Sequence, residues 1–328
     1  VVGLLEAKGR ISKVRLSRRD LFLALSAAAY AGVGLDSKKR IDRTLVGKDV
    51  DRPPFSAWHH FHLESEPPEV FAKATIEFHQ QTGTDLVKVM SDFPYPKPAG
   101  GLDRLQVEPK PFPAQLRALE LIRDGIGNEN YFVETIFNPW SVAEKLSSRE
   151  YLLDLKSNAP QKLFDILEVI TQSEINHARA AIQVGARGIF LAIQNAVPEV
   201  LGEDDYAKFS EPFDKLILSS VSSAPLNILH LHGNHVYWQR FTSGWAANGI
   251  NYSVAGTKVP ISEVRRQTSG VILGGIDENN FSNLTLADLR LQAKTAREEG
   301  RKQFLLTPGC SVPDDTSAAS VRRLRTVF

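Results

Sequence analysis

"NILHLHG", residues 227–233, is a short apolar run that turns polar at His230 and His232. Reading it as a buried strand of a parallel sheet decides the fold. Residues i and i+2 of a strand point to the same side, so both imidazoles face one way. Seven other runs share its length and apolar character: FSAWHHF (55–61), LVKVMSD (86–92), YFVETIF (131–137), GIFLAI (188–193), GINYSV (249–254), GVILGGID (270–277) and FLLTPGC (304–310). Strands apolar through most of their length are those covered on both faces. Helical patterns lie between them, such as QKLFDILEVITQSEINHARAAIQVG, with Leu163, Ile166, Ile170 and Ile175 roughly on one face. Strand–helix alternation predicts a parallel sheet. Eight units fit a closed (β/α)8 TIM barrel, about 250 residues at its simplest. An open doubly wound sheet is the other architecture with this alternation, but no G-x-G-x-x-G opens a helix after the first strand.

The chain has 328 residues, 42% hydrophobic and 23% charged, with a net charge of +1. That composition supplies one large core and makes no case for nucleic-acid binding. A single cysteine, Cys310, excludes an intramolecular disulfide. Residues 11–34, ISKVRLSRRDLFLALSAAAYAGVG, place Lys13, Arg15, Arg18 and Arg19 before an apolar run from Leu21 to Ala31. Ala29-Tyr30-Ala31 then has the form of a cleavage site, and Ser17–Leu23 is similar to a twin-arginine export signal. Residues 1–36 are therefore read as a leader to an exported or periplasmic protein. The run is short of the roughly 20 apolar residues of a membrane span, and none is expected in the mature chain. An amphipathic first helix of a cytoplasmic protein is the other reading. Residues 37–328 are read as the single-domain barrel, with a Pro/Gly-rich insertion at 92–113 as a lid or substrate wall.

In a barrel the carboxyl ends of the strands build the active site. Here they offer His59, His60 and His62; Ser91-Asp92; Asn138; Gln194-Asn195; His230 and His232; Asp277; and Cys310. Two imidazoles and a thiolate make a three-ligand zinc site with one position open, the catalytic pattern. An H-x-H strand also occurs as two hydrogen-bonded core histidines, so that reading stands beside the metal. Asp92 and Asp277 divide between turn capping and substrate contact. At least one of His59, His60 and His62 is expected at the mouth. His79 and His177 fall on helical patterns and are expected to be surface or packing residues. His235 is expected to start the next helix and pack.

"SKKRIDRTLVGKDVDRPPF" (37–55), "VKVMSDFPYP", "GIFLAIQNA", "YAKFSEPFDKLI", "ILHLHGN" and "LLTPGCSVPDDT" together resemble the uroporphyrinogen decarboxylase superfamily over about residues 37–328. The resemblance implies a (β/α)8 barrel and one of two activities. The decarboxylases are metal-free and bind an octacarboxylate tetrapyrrole with strand-one arginines and an Asp at the end of strand two. The methyltransferases, linked to a corrinoid or coenzyme M, bind zinc through H-x-C and the Cys of T-P-G-C. Asp92 matches the family aspartate. The arginine motif is replaced by Ala57-Trp58-His59-His60-Phe61-His62, and histidine supplies far less charge to a polyanion. His230 and Cys310 match zinc ligands of the methyltransferase branch, and His232 stands where that branch has Cys. Imidazole is acceptable to zinc and leaves the metal a better Lewis acid. The leader also departs from the family, whose two activities are cytoplasmic.

The expectation is a zinc enzyme most like the cobalamin- and thiol-linked methyltransferases. His230, His232 and Cys310 are its metal ligands, and Asp92, His59, His60, Asn195 and Asp277 its candidate catalytic residues. Its partners are a small-molecule substrate, a corrinoid protein or thiol co-substrate, and a second copy in a homodimer. Metal-free decarboxylation of a porphyrinogen or smaller carboxylate, and an exported non-catalytic binding protein, are the alternatives.

Overall fold

The computed structural model describes residues 34–328; the leader reading of residues 1–36 lies almost wholly outside them. Among the described residues seven parallel strands form one sheet in chain order. They are β1 (Leu86–Val89), β2 (Tyr131–Phe137), β3 (Ile189–Ile193), β4 (Ile228–Leu231), β5 (Gly249–Tyr252), β6 (Val271–Ile276) and β7 (Phe304–Pro308). They match seven of the eight predicted runs. β1, β3, β4 and β5 are buried throughout, as continuous apolar strands between helices and barrel interior must be.

The first predicted strand, 55–61, is not a strand. Only Phe55 bridges to Leu306. The segment still closes the ring, bonding to both sheet edges. On the β7 side Leu306 N–H donates to Pro54 O (2.9 Å) and Ser56 N–H to Leu306 O (3.0 Å). On the β1 side Asp85 N–H donates to Phe55 O (2.8 Å) and Ser56 Oγ to Leu86 O (2.7 Å). An ion cluster fixes its entry: Arg40 and Arg52 both donate to the fully buried Asp85 carboxylate, whose Oδ2 also accepts from Phe55 N–H (3.0 Å). Arg52 of the D-R-P-P turn thus works at the amino-terminal end of the barrel, positioning the closing segment.

Helices cover the outside. Pro160–Val184 buries Leu163, Ile166, Ile170 and Ile175 against the barrel, the stripe its periodicity predicts. Its His177, expected at the surface or in packing, is buried and bonds Glu134 (2.9 Å). Thr285 and Asp288 form a capping box at the start of Leu286–Gly300. Asp36–Phe328 makes up a single compact unit. No helix among the described residues is long and apolar enough to cross a membrane.

Candidate metal centre at the barrel mouth

His230 lies on β4, His232 just past its end, and Cys310 just past β7. Their ligand atoms all lie within 4.8 Å of one another. Cys310 Sγ is 3.8 Å from His230 Nε2 and 3.5 Å from His232 Nδ1. Zinc bonds of about 2.3 Å to sulfur and 2.0–2.1 Å to nitrogen, set tetrahedrally, separate S and N by roughly 3.6 Å. The donor spacing therefore fits a tetrahedral zinc ion. No fourth His, Cys, Asp or Glu among the described residues joins the group.

Asn251 on β5 sets both arms of this cluster. Its Nδ2 lies 3.1 Å from Leu273 O, 3.2 Å from Pro308 O and 3.3 Å from Thr307 Oγ1, which fixes which end of the amide is the donor. Its Oδ1 must then accept from His230 Nδ1–H, at 2.6 Å. That bond aims His230 Nε2 at Cys310, the outer hydrogen bond typical of ligating histidines. Phe190 stacks on the same ring, with centroids 4.8 Å apart.

The turn carrying Cys310 is equally constrained. Gly309 N–H donates to Glu278 Oε2 (3.1 Å), and a Cβ on Gly309 would lie 2.3 Å from Ser253 Cα. Only glycine lets the turn approach β5 so closely. Burial alone would raise the Cys310 thiol. Hydrogen bonds and positive potential from His230 and His232 outweigh it and bring the thiol down to about 4. A thiolate beside imidazoles is a metal ligand in its binding form. Burial pushes the Glu278 carboxyl up, against hydrogen bonds from Ser253 and Gly309.

The cluster opens into a cavity of about 270 Å³ shared with His60, Trp58 and Phe190. Lys88 and Lys145 are the cations of its lining; no arginine among the described residues lines it. Lys88 is buried, 5.0 Å from the Phe190 ring centre, and donates to Met90 Sδ. Burial pulls it down to about 8, against the attraction of Cys310, Asp92 and Glu134.

Residues 94–327 match the uroporphyrinogen decarboxylase (URO-D) family. The chain belongs to that family. Among curated relatives of this URO-D family chain, methylcobamide:CoM methyltransferase MtaA of Methanosarcina barkeri is 22% identical over 88% of this chain and 96% of its own length. Methylcobamide:CoM methyltransferase MtbA of Methanosarcina acetivorans is 22% identical over 64% of this chain and 61% of its own. A methyltransferase from Methanosarcina mazei superposes with a TM-score of 0.74 at 20% identity, covering 89% of this chain and 98% of that one. At that identity it shows the shared barrel fold.

The other sequence-predicted residues scatter across this URO-D family barrel. His60 reaches the mouth cavity, its Nδ1 3.5 Å from Asp92 Oδ1. His59 turns away to pack edge-on against Phe61 and Phe78, with Nδ1 2.7 Å from His60 O. Asn195 is buried in a network with Asn138 (2.7 Å) and Ser210 (2.9 Å), and neighbouring Gln194 lines the mouth instead. Asp277 is a turn cap, accepting from Asn279 N–H (3.0 Å) and Asn280 Nδ2 (2.8 Å). His235 is exposed and pairs with Glu199, while His79 is buried and bonds Thr84 (3.1 Å). Sequence reasoning missed Asn251, Glu278 and Lys88. Each is a polar residue within or just after an apolar run, which was the available signal.

Proposed function

We propose that this chain is a zinc-dependent methyltransferase acting between a methylated corrinoid and a small thiol. The observation that carries the reading is the meeting of Cys310 with His230 and His232, from strands about 80 residues apart, at zinc-like donor spacing. The names of its relatives supply the donor and acceptor classes. His230 Nε2, His232 Nδ1 and Cys310 Sγ would hold the ion. Zinc bound there would act as a Lewis acid, lowering the pKa of a thiol entering the mouth. In the transfer, the methyl carbon leaves the donor and bonds the acceptor sulfur, whose thiol proton must depart. His60 faces the same cavity and is placed to take that proton, with Asp92 behind it. Trp58 and Phe190 give the cavity an apolar wall. A cavity of about 270 Å³ without an arginine lining is poorly matched to an octacarboxylate tetrapyrrole, which weighs against the decarboxylase alternative.

Elemental analysis of protein purified from zinc-containing medium is expected to find one zinc per chain, and none in Cys310→Ala. Methyl transfer from methylcobalamin to coenzyme M is expected to fall at least about a hundredfold in that variant. Metal-free wild-type protein overturns the zinc reading. We further propose export through the leader of residues 1–36, against the cytoplasmic alternative. Cell fractionation of the chain with Arg18 and Arg19 intact or replaced by Lys tests it, and unchanged cytoplasmic retention of both overturns it.

A further inference from the structure

Behind Phe137 lies a second cavity, of about 320 Å³, separate from the cluster of metal-ligating side chains. It shares Phe137 and Lys145 with the mouth cavity. Its walls are largely apolar, built from Phe93, Phe112, Phe137 and Val142. Asp92 and Glu174 also line it. The Asp92 side chain is 3% exposed and Glu174 is 1% exposed, yet Asp92 Oδ2 and Glu174 Oε2 have no hydrogen-bond partner among the described residues. Buried carboxyl oxygens left unpaired are costly, and two lining one apolar cavity mark a place where a ligand supplies the missing bonds. A volume near the lower end of small-molecule pockets limits that ligand to about one ring or a short chain.

We propose that this chamber is a ligand site for a small neutral molecule with an apolar body and a hydroxyl tip, held by Asp92 and Glu174. A hydroxyl both donates and accepts, so it satisfies a carboxylate and a carboxylic acid together. Burial and the neighbouring Glu134 push the Glu174 carboxyl well above the usual range, which favours its protonated form. A carboxylate ligand would set oxygen against oxygen at Asp92 Oδ2; of the two lysines in the lining, Lys97 is exposed and Lys145 stands over the Phe137 ring. Lys145 lines both this chamber and the mouth. The chamber's role in feeding a substrate to the metal rests on the function proposed above. Its occupancy does not.

The test uses the purified full chain, zinc-free and zinc-loaded, titrated with benzyl alcohol and with benzoate by calorimetry or ligand-observed NMR. The two probes share a ring and differ at the tip. Benzyl alcohol is expected to bind saturably in both metal states, at least about tenfold more tightly than benzoate. Glu174→Leu is expected to weaken it at least about tenfold, while Glu174→Gln, which keeps a donor and an acceptor, holds affinity within about threefold. Should the leucine variant fail to fold, Phe137→Trp narrows the chamber and is expected to produce the same loss. No saturable binding, benzoate as tight as the alcohol, or unchanged affinity in the folded Glu174→Leu or Phe137→Trp protein overturns the proposal. Alcohol binding retained in protein that takes up no zinc overturns the metal reading alone.

Discussion

Two histidine clusters in this chain look alike as sequence and behave differently as structure. HLH at 230–232 begins on β4, paired in register with β3 and β5. Its rings lie 6.0 Å apart and both reach Cys310. HHFH at 59–62 follows a single β-bridge. There His59 packs among phenylalanines, His60 faces the mouth, and His62, at φ 54°, pairs at the surface with Asp314 (2.7 Å). Spacing translates into direction only where a hydrogen-bonded ladder enforces the two-residue period. Off the ladder, each side chain goes where its own burial and partners take it.

The sharpest way to break the ordered cluster is to remove the residue that ties its arms together without touching a ligand. Asn251→Ala deletes the acceptor of His230 Nδ1 and the donor to Pro308 O. Zinc affinity is expected to fall about 10–100-fold, or roughly 1.4–2.7 kcal/mol, in a protein that remains folded. Competition with a chromophoric chelator measures it. An affinity unchanged within threefold would show that β4 and β7 hold the donors without help.

That prediction also marks where sequence reading stops. The barrel was legible because strand and helix periods alternate along the chain, and the H-x-H pair because one strand carries both rings. The proximity of Cys310 to them was expected only from the barrel's shared mouth and from family resemblance. Asn251 was not legible: its work depends on His230 on adjacent β4 and on Pro308 on β7, one strand beyond its other neighbour β6, which the folded sheet brings together and no local pattern contains. The run 55–61 reads as a strand because its apolar residues satisfy the composition of one, but it bonds to each sheet edge only in part. Asp277 and Glu278 are adjacent acids with opposite fates, decided by which one points inward after β6 ends.

The disordered direction of the 59–62 cluster has a titration signature. Burial lowers the His59 pKa from 6.5, against its bond to the His60 carbonyl. Its share of stability is present above pH 6.5 and is lost as pH falls through its folded pKa, because the buried neutral ring must take a charge. His62 moves the other way, raised from 6.5 by its bond to Asp314. Its contribution is present below pH 6.5 and disappears as pH rises through its folded pKa. Two-dimensional NMR of the imidazoles is expected to place the two midpoints on opposite sides of 6.5. His59→Phe is expected to reduce the loss of stability on acidification by at most about 1 kcal/mol, since the ring is only half-buried. Equal midpoints would mean that the two rings share one environment.

The smallest expected effect separates neighbours one residue apart. Among the described residues Asp277 bonds only within its own turn and to helix Leu286–Gly300, where its backbone N–H meets Gln292 (3.0 Å). Asp277→Ala removes partly exposed turn bonds and is expected to cost about 0.5–1 kcal/mol of stability, with zinc affinity unchanged. Glu278→Ala removes the acceptor of Gly309 N–H, next to Cys310, and frees the turn that presents the sulfur. Its zinc affinity is expected to fall, though less than in Asn251→Ala, because Asn251 still holds Pro308. Thermal melts and chelator competition on both variants read the difference. If Asp277→Ala weakens zinc as much as Glu278→Ala does, the whole turn after β6 supports the metal, and inward direction at that strand end has no special weight.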